Sequence, residues 1–262
     1  FGPVDLNDAC VVWEILNDDG ITLTPPLQGI LRRDLRCGKL NKVDQICVPL
    51  DDLQAPSKLT LRVRIEETDA MNSWDLWVFP EASPLTEDPR IVRELDRPAL
   101  DRLNQGETLW LMADPHRVRT EIALGFSPIF WNTAWTHNQP PHTLGLLCDP
   151  GHPALSEFPT EFHSNWQWWH VVSNAATMEL PSQIRPLIQV VPDWFSPQCL
   201  GLAFEVRVGS GRLLVTSIDL AAGGPVGCQL FRSLLAYLDR DTPLPEQQLE
   251  PEQIRELFTS EA

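Results

Sequence analysis

Leu59, Leu61, Val63 and Ile65 alternate with Thr60, Arg62, Arg64 and Glu66, a period of two that turns one strand face to a core and the other to water. Trp74, Leu76 and Val78 continue the pattern within NSWDLWVFP, residues 72–80. Residues 10–16 (CVVWEIL) run straight into Asn17-Asp18-Asp19-Gly20, and residues 21–24 restart the apolar pattern. That is a hairpin signal. Residues 43–50 read as a further short strand. Closely spaced strands with no helical stretch between them predict an antiparallel β-sandwich over residues 1–80.

Residues 81–99 have the composition of a linker: Pro84, Pro89 and Pro98 stand among eight charged side chains, with a short helix expected over 90–95. Beyond them the pattern changes. Residues 108–113 (TLWLMA), 143–148 (TLGLLC) and 187–191 read as fully buried strands, and 200–208 and 213–218 flank the turn Gly209-Ser210-Gly211. Helices are expected at the end of 99–104, over 163–172 and over 226–238. In the last of these Val226, Leu230, Leu234 and Leu238 recur every four residues beside Phe231 and Leu235, an apolar stripe that faces a sheet. Apolar strands alternating with helices predict a mostly parallel α/β layer sandwich over 100–240. Residues 241–262 form a tail with a short helix starting near Pro251.

Composition supports a folded protein. Of 262 residues 43% are hydrophobic, with ten Trp and ten Phe, enough to bury a large core without staples. No apolar run has the length of a membrane span. The formal net charge of −16 repels nucleic acid and anionic bilayers, both of which need clustered cations. The one basic cluster, Arg32, Arg33, Arg36, Lys39 and Lys42, is interrupted by Asp34 and reads as a solvated strand edge. The chain starts at Phe1 and reads as a piece of a longer protein, so the lack of a leader carries no information and the compartment stays open.

Candidate chemistry is sparse. The cysteines at 10, 37, 47, 148, 199 and 228 include no C-x-x-C pair, so no structural metal or redox dithiol is expected. Their disulfide status stays open. The six histidines lie between 116 and 170 without an i, i+4 pair and read as hydrogen-bonded structural residues. Gly223-Gly224-Pro225-Val226-Gly227 lacks the Lys of a phosphate loop and reads as a strand-to-helix turn. Cys148 ends a predicted strand, the place of a nucleophile, but Asp149-Pro150-Gly151 follows in place of a strand-to-helix elbow. A cysteine hydrolase is therefore the weakest reading. No catalytic residue, metal or cofactor is assigned.

The unusual feature is aromatic. Phe126, Phe130, Trp131, Trp135, Phe158, Phe162, Trp166, Trp168 and Trp169 lie among Asn132, Thr133, His137, Asn138, Gln139, His163, Asn165 and Gln167. Rings stack on the apolar faces of sugars while amides and imidazoles take up hydroxyls, and large rings equally build cores and interfaces. The candidates for contact with carbohydrate or a neighbouring domain are Trp131, Asn132, Trp135, His163, Asn165, Trp166, Trp168 and Trp169. Loops at strand C-termini gather at one edge of an open α/β sheet, so the two aromatic segments are expected together there.

NSWDLWVFP at 72–80, GFSPIFWNTAW at 125–135, LGLLCDPGHPALSEFPTEFHSNWQWW at 144–169 and VPDWFSPQCLGLAFEVRVGSGRLLVTSIDL at 191–220 resemble the C-terminal region of glycoside hydrolase family 2, the β-galactosidase-like enzymes. The resemblance implies an accessory region that follows a catalytic (β/α)8 barrel. It would comprise an immunoglobulin-like β-sandwich and then a flavodoxin- or class I amidotransferase-like domain without its nucleophile. The barrel's two catalytic glutamates have no counterpart in this chain. The implied role is non-catalytic: docking the barrel of the same or a partner polypeptide, or a second copy of this chain, and shaping sugar access. A stand-alone carbohydrate-binding module is the alternative.

Overall fold

The computed structural model describes residues 4–128, 130–131 and 133–259, and the chain divides into two compact units, residues 1–80 and 81–262. The first holds one four-stranded antiparallel sheet in the order β2-β1-β3-β4, from β1 (Leu6–Asn17), β2 (Thr22–Leu35), β3 (Ser57–Ile65) and β4 (Met71–Val78). The hairpin joining β1 to β2 closes as expected from its turn residues. Gly20 N–H donates to Asn17 O at 2.9 Å, Ile21 N–H donates to Asn17 Oδ1 at 2.8 Å, and Gly20 takes the left-handed φ of +74°.

Among the described residues no second sheet stacks on this one, so the expected sandwich is a single layer. Residues 43–50 form no strand. Arg33 occupies Val43 and Asp44 instead, with Nε donating to Val43 O at 3.0 Å and Nη2 to Asp44 Oδ2 at 2.9 Å, while Pro49 has no N–H to give a ladder. Val11, Ile15 and Leu59 are buried, but Leu61, Val63 and Ile65 are only half-buried. The basic cluster lies on and just beyond the edge strand β2, where Arg32 pairs with Asp8 at 2.8 Å and Arg36 with Asp5 at 3.1 Å. Charges on an edge discourage further strand pairing.

The second unit holds a mixed seven-stranded sheet. Its strands are β5 (Ile91–Val92), β6 (Thr108–Met112), β7 (Thr143–Cys148), β8 (Met178–Glu179), β9 (Pro186–Pro192), β10 (Leu200–Val208) and β11 (Gly211–Thr216), in the order β5-β6-β11-β10-β9-β7 with β8 on β10. Only β5–β6 and β6–β11 pair in parallel; β11–β10, β10–β9, β10–β8 and β9–β7 are antiparallel. The expected mostly parallel sheet is therefore corrected. The cause is the two-residue turn between Val208 and Gly211, with Gly209 at φ +58°, which folds β11 back along β10.

Helices cover both faces. On one, Leu109, Leu111, Phe204, Val206, Leu213 and Val215 join Ala99 and Leu103 of α1 (Arg97–Asn104) and Ile254 of α5 (Pro251–Arg255) in one buried cluster. On the other, the Trp110 ring lies 5.3 Å from Phe231 of α4 (Gly224–Leu238), and its Nε1–H donates to Thr216 Oγ1 at 2.9 Å. Residues 81–99 belong to this unit. In place of a helix over 90–95 the chain adds β5 beside β6, and Asp96 caps α1 by accepting from Ala99 N–H. The expected tail is likewise part of the core, because Leu249, Ile254 and Leu257 are buried in it.

The seat of α4 depends on Gly227, where a Cβ would stand 2.2 Å from Leu220 O. Alanine favours a helix over glycine by about 1 kcal/mol, yet the clash is with backbone, which cannot yield cheaply. Gly227→Ala is expected to lower stability by about 1–3 kcal/mol in urea unfolding. Unchanged or increased stability would show that α4 does not approach this closely.

Candidate functional site

β7 is the last strand of its sheet, and both aromatic segments lie against it. At its C-terminal half Cys148 N–H donates to Phe162 O at 3.0 Å and Ser164 N–H to Leu146 O at 3.1 Å, with a bridge between Leu147 and His163. At its start His142 N–H donates to Ala123 O at 2.8 Å, Thr143 Oγ1 bonds Gly125 N–H and O, and Ser127 Oγ–H reaches Thr143 O. Because one strand holds both segments, Phe126 and Trp169 meet at 6.0 Å between ring centroids. The segments thus meet along the flank of β7, an antiparallel strand, and not at the ends of parallel strands.

The helix expected over 163–172 is shorter. Residues 162–164 pair with β7, a 3-10 turn follows at Trp166–Trp168, and α3 (Trp169–Val172) completes the segment. Trp131, Trp135, His163, Trp166 and Trp169 are exposed, as are Phe130, Phe162, Trp194 and Phe195. Asn165 is half-buried, and its Nδ2–H donates to Glu161 Oε2 at 2.7 Å. Trp168 is different. It is 0% exposed, its ring meets Phe158 edge-on at 5.1 Å, and its Nε1–H donates to Thr160 Oγ1 at 3.0 Å. That makes it a core residue, out of reach of carbohydrate or a neighbouring domain. Asn132 lies outside the described residues.

A cleft of about 580 Å³ opens at the start of β7. Its walls include residues 119–122 after β6, Thr133 of α2 (Thr133–Thr136), Asn138, His142, Glu179 at the end of β8, and Asp193, Ser196 and Gln198 between β9 and β10. Asp193 ties two walls together: its Oδ2 accepts from Thr133 N–H at 2.5 Å and Thr133 Oγ1–H at 2.8 Å, and its Oδ1 from Phe195 N–H at 3.0 Å. Burial by itself would raise this carboxyl. The hydrogen bonds from Phe195 and Thr133, with the neighbouring His142, outweigh burial and hold it below the usual carboxylate value. His142 Nδ1 accepts from Ala123 N–H at 3.0 Å, which leaves the proton on Nε2, 3.1 Å from Asn138 O. No local sequence motif marks this cleft, since its residues are scattered between 119 and 200 and only the β7–β9–β10 pairing collects them.

Cys148 is buried, and its thiol donates to Glu161 O at 3.2 Å. Burial pushes its pKa up, against the modest opposing effect of Thr160, which is the reverse of what a nucleophilic thiolate needs. None of the six cysteines is in a disulfide. Among the described residues no three His, Cys, Asp or Glu side chains converge to hold a metal, and no helix is long and apolar enough to cross a membrane.

A family model described as a domain of unknown function (DUF8487) matches residues 90–259. The chain belongs to this family. A second model, also described as a domain of unknown function (DUF8488), matches residues 1–80. No curated protein matches the chain. The cleft and the β7 flank both lie within the segment matched by DUF8487.

The two kinds of tryptophan separate in mutants. Trp168→Ala is expected to cost about 3–5 kcal/mol of stability, the range for emptying a buried ring site, whereas Trp131→Ala, at 48% exposure, should stay within about 0.5 kcal/mol. Chemical denaturation of the two variants measures this, and equal losses would refute the division. Thiol alkylation under native conditions should modify the exposed Cys37 and Cys47 well before the buried Cys148 and Cys228. Rapid labelling of Cys148 would contradict its burial.

Proposed function

We propose that the chain is a non-catalytic accessory region of a β-galactosidase-like glycoside hydrolase, whose second unit docks the catalytic barrel of the same or a partner polypeptide. The observation that carries this reading is the exposed aromatic surface around β7. Monomeric surfaces rarely gather so many large rings, and exposed tryptophans of this kind mark association sites. Motif resemblance supplies the identity of the parent, and the acidic balance of the chain supports a protein partner over nucleic acid or an anionic membrane.

In the same reading the second unit is a variant of the flavodoxin- or amidotransferase-like layer sandwich. The parallel β5-β6-β11 half and the helices on both faces support this. The first unit would descend from an immunoglobulin-like domain, on the support of its antiparallel pairing. A stand-alone carbohydrate-binding module is the second reading, favoured by the polar cleft beside the exposed Trp194 and Phe195.

Association decides the first reading. The chain, mixed with the barrel-containing portion encoded beside it, should form a complex in sedimentation, and Trp169→Ala should weaken it by about 30-fold, equivalent to about 2 kcal/mol. The chain alone should not turn over nitrophenyl galactoside, because hydrolysis needs a positioned acid with a nucleophile or base. Absence of a complex at tens of micromolar, or unchanged affinity in the variant, would reject docking through this surface.

A further inference from the structure

The cleft at the start of β7 has chemistry that docking through the aromatic flank does not use. Arg119, Glu121, Asn138, Glu179, Ser196 and Gln198 line it, and among the described residues none of their six side chains has a hydrogen bond or ion pair. Several other arginines of this unit are paired, Arg90 with Asp88 and Asp239, Arg102 with Glu107 and Arg117 with Glu94. Around the cleft the partnered groups are instead those that fix its shape. Asp193 is held by Thr133 and Phe195, His142 by Ala123 and Asn138. The backbone beside it is held in an uncommon form, with His137 at φ +54° and Asn138 at φ +64°. Consecutive non-glycine residues in the left-handed region cost energy and gather at ligand sites.

We infer that this cleft binds a neutral polyhydroxylated ligand of saccharide type. Both signs of charge stand unpaired in it, with one guanidinium that only donates, two carboxylates that only accept, and two amides and a hydroxyl that do both. A dense array of hydroxyls satisfies all of them at once. An anion would meet Glu121 and Glu179, and a simple cation would leave Arg119 unmatched. A cleft of about 580 Å³ has room for one or two sugar rings, within the size range of small-molecule sites. Trp194 and Phe195, packed edge-on at 5.6 Å and both exposed, stand in the chain between the lining residues Asp193 and Ser196. The inference gives the second reading above a specific site and does not depend on docking along the β7 flank.

The test is titration of the full 262-residue chain with methyl β-galactoside, methyl β-xyloside, cellobiose, glucuronate and glucosamine, followed by ligand-observed NMR and tryptophan fluorescence. At least one of the three neutral ligands should saturate at low millimolar concentration or below and exceed both charged ones. Arg119→Ala and Glu179→Gln should each weaken it at least tenfold without moving the thermal midpoint, whereas Trp169→Ala should leave it unchanged. No saturation by any neutral ligand up to 50 mM would overturn the proposal. So would preference for glucuronate or glucosamine, or binding that survives both cleft variants. If binding is lost only in Trp169→Ala, the sugar sits on the aromatic flank and the cleft assignment fails. The docking reading stands or falls separately, on the sedimentation result.

Discussion

A two-residue turn governs the layout of the second unit. Gly209 takes φ +58° where a side chain would collide with Asn104, and Gly211 passes so close to α1 that a Cβ would stand 2.6 Å from Leu103 O. Those two glycines let β10 reverse immediately into β11 while the hairpin lies against the C-terminal end of α1. The turn makes β11 antiparallel to β10, and the strands on the other side of β10 keep the same alternation. β9 pairs antiparallel with β10 and β7 with β9, so a parallel half and an antiparallel half share one sheet.

The aromatic flank and the cleft are consequences of that arrangement. The register places Met112, Thr216, Ala203, Ile188 and Cys148 in one row across the sheet. β7, β9 and β10 run on past this row, beyond the ends of β6 and β11. The overhang is where β8 pairs with β10, at Glu179 and Leu200, and where the segment after β6 turns over to residues 119–122. It leaves a recess whose walls come from five separate segments. β7, as the terminal strand, has an outer edge to satisfy. Residues 123–127 and 162–164 supply that cover; Phe162 is exposed, and Phe126 packs on the exposed Trp169.

Much of the strand pattern was legible in the sequence, because residues 108–113, 143–148, 187–191, 200–208 and 213–218 are apolar runs bounded by turn residues. Their direction was not, for a physical reason. Continuous apolar strands signal burial on both faces, and parallel sheets are the commonest way to achieve it. Here α1 and α5 on one side and α4 on the other bury an antiparallel pair equally well. Gly209-Ser210-Gly211 carried the better signal, since so short a connection cannot join parallel strands. In the first unit the alternation over 59–66 located β3, but alternation reports a face, not what covers it. The cleft residues were invisible, as no spacing in sequence relates Arg119 to Glu179 or Gln198.

The run Trp166-Gln167-Trp168-Trp169 shows how the surface gains its definition. Gln167 and Trp168 are buried, with Gln167 Nε2–H donating to Pro159 O at 2.9 Å and Trp168 fixed between Phe158 and Thr160. The two exposed rings on either side are attached to a backbone that cannot swing. Asp193 does the same at the opposite end of β7, holding the start of α2 and the Trp194–Phe195 turn through three hydrogen bonds. Association is opposed chiefly by the freedom that side chains and loops lose when they are held. Rings whose backbone is already anchored by a buried neighbour have lost part of that freedom on folding. The core residues beneath the aromatic surface would therefore contribute to the proposed docking without touching a partner.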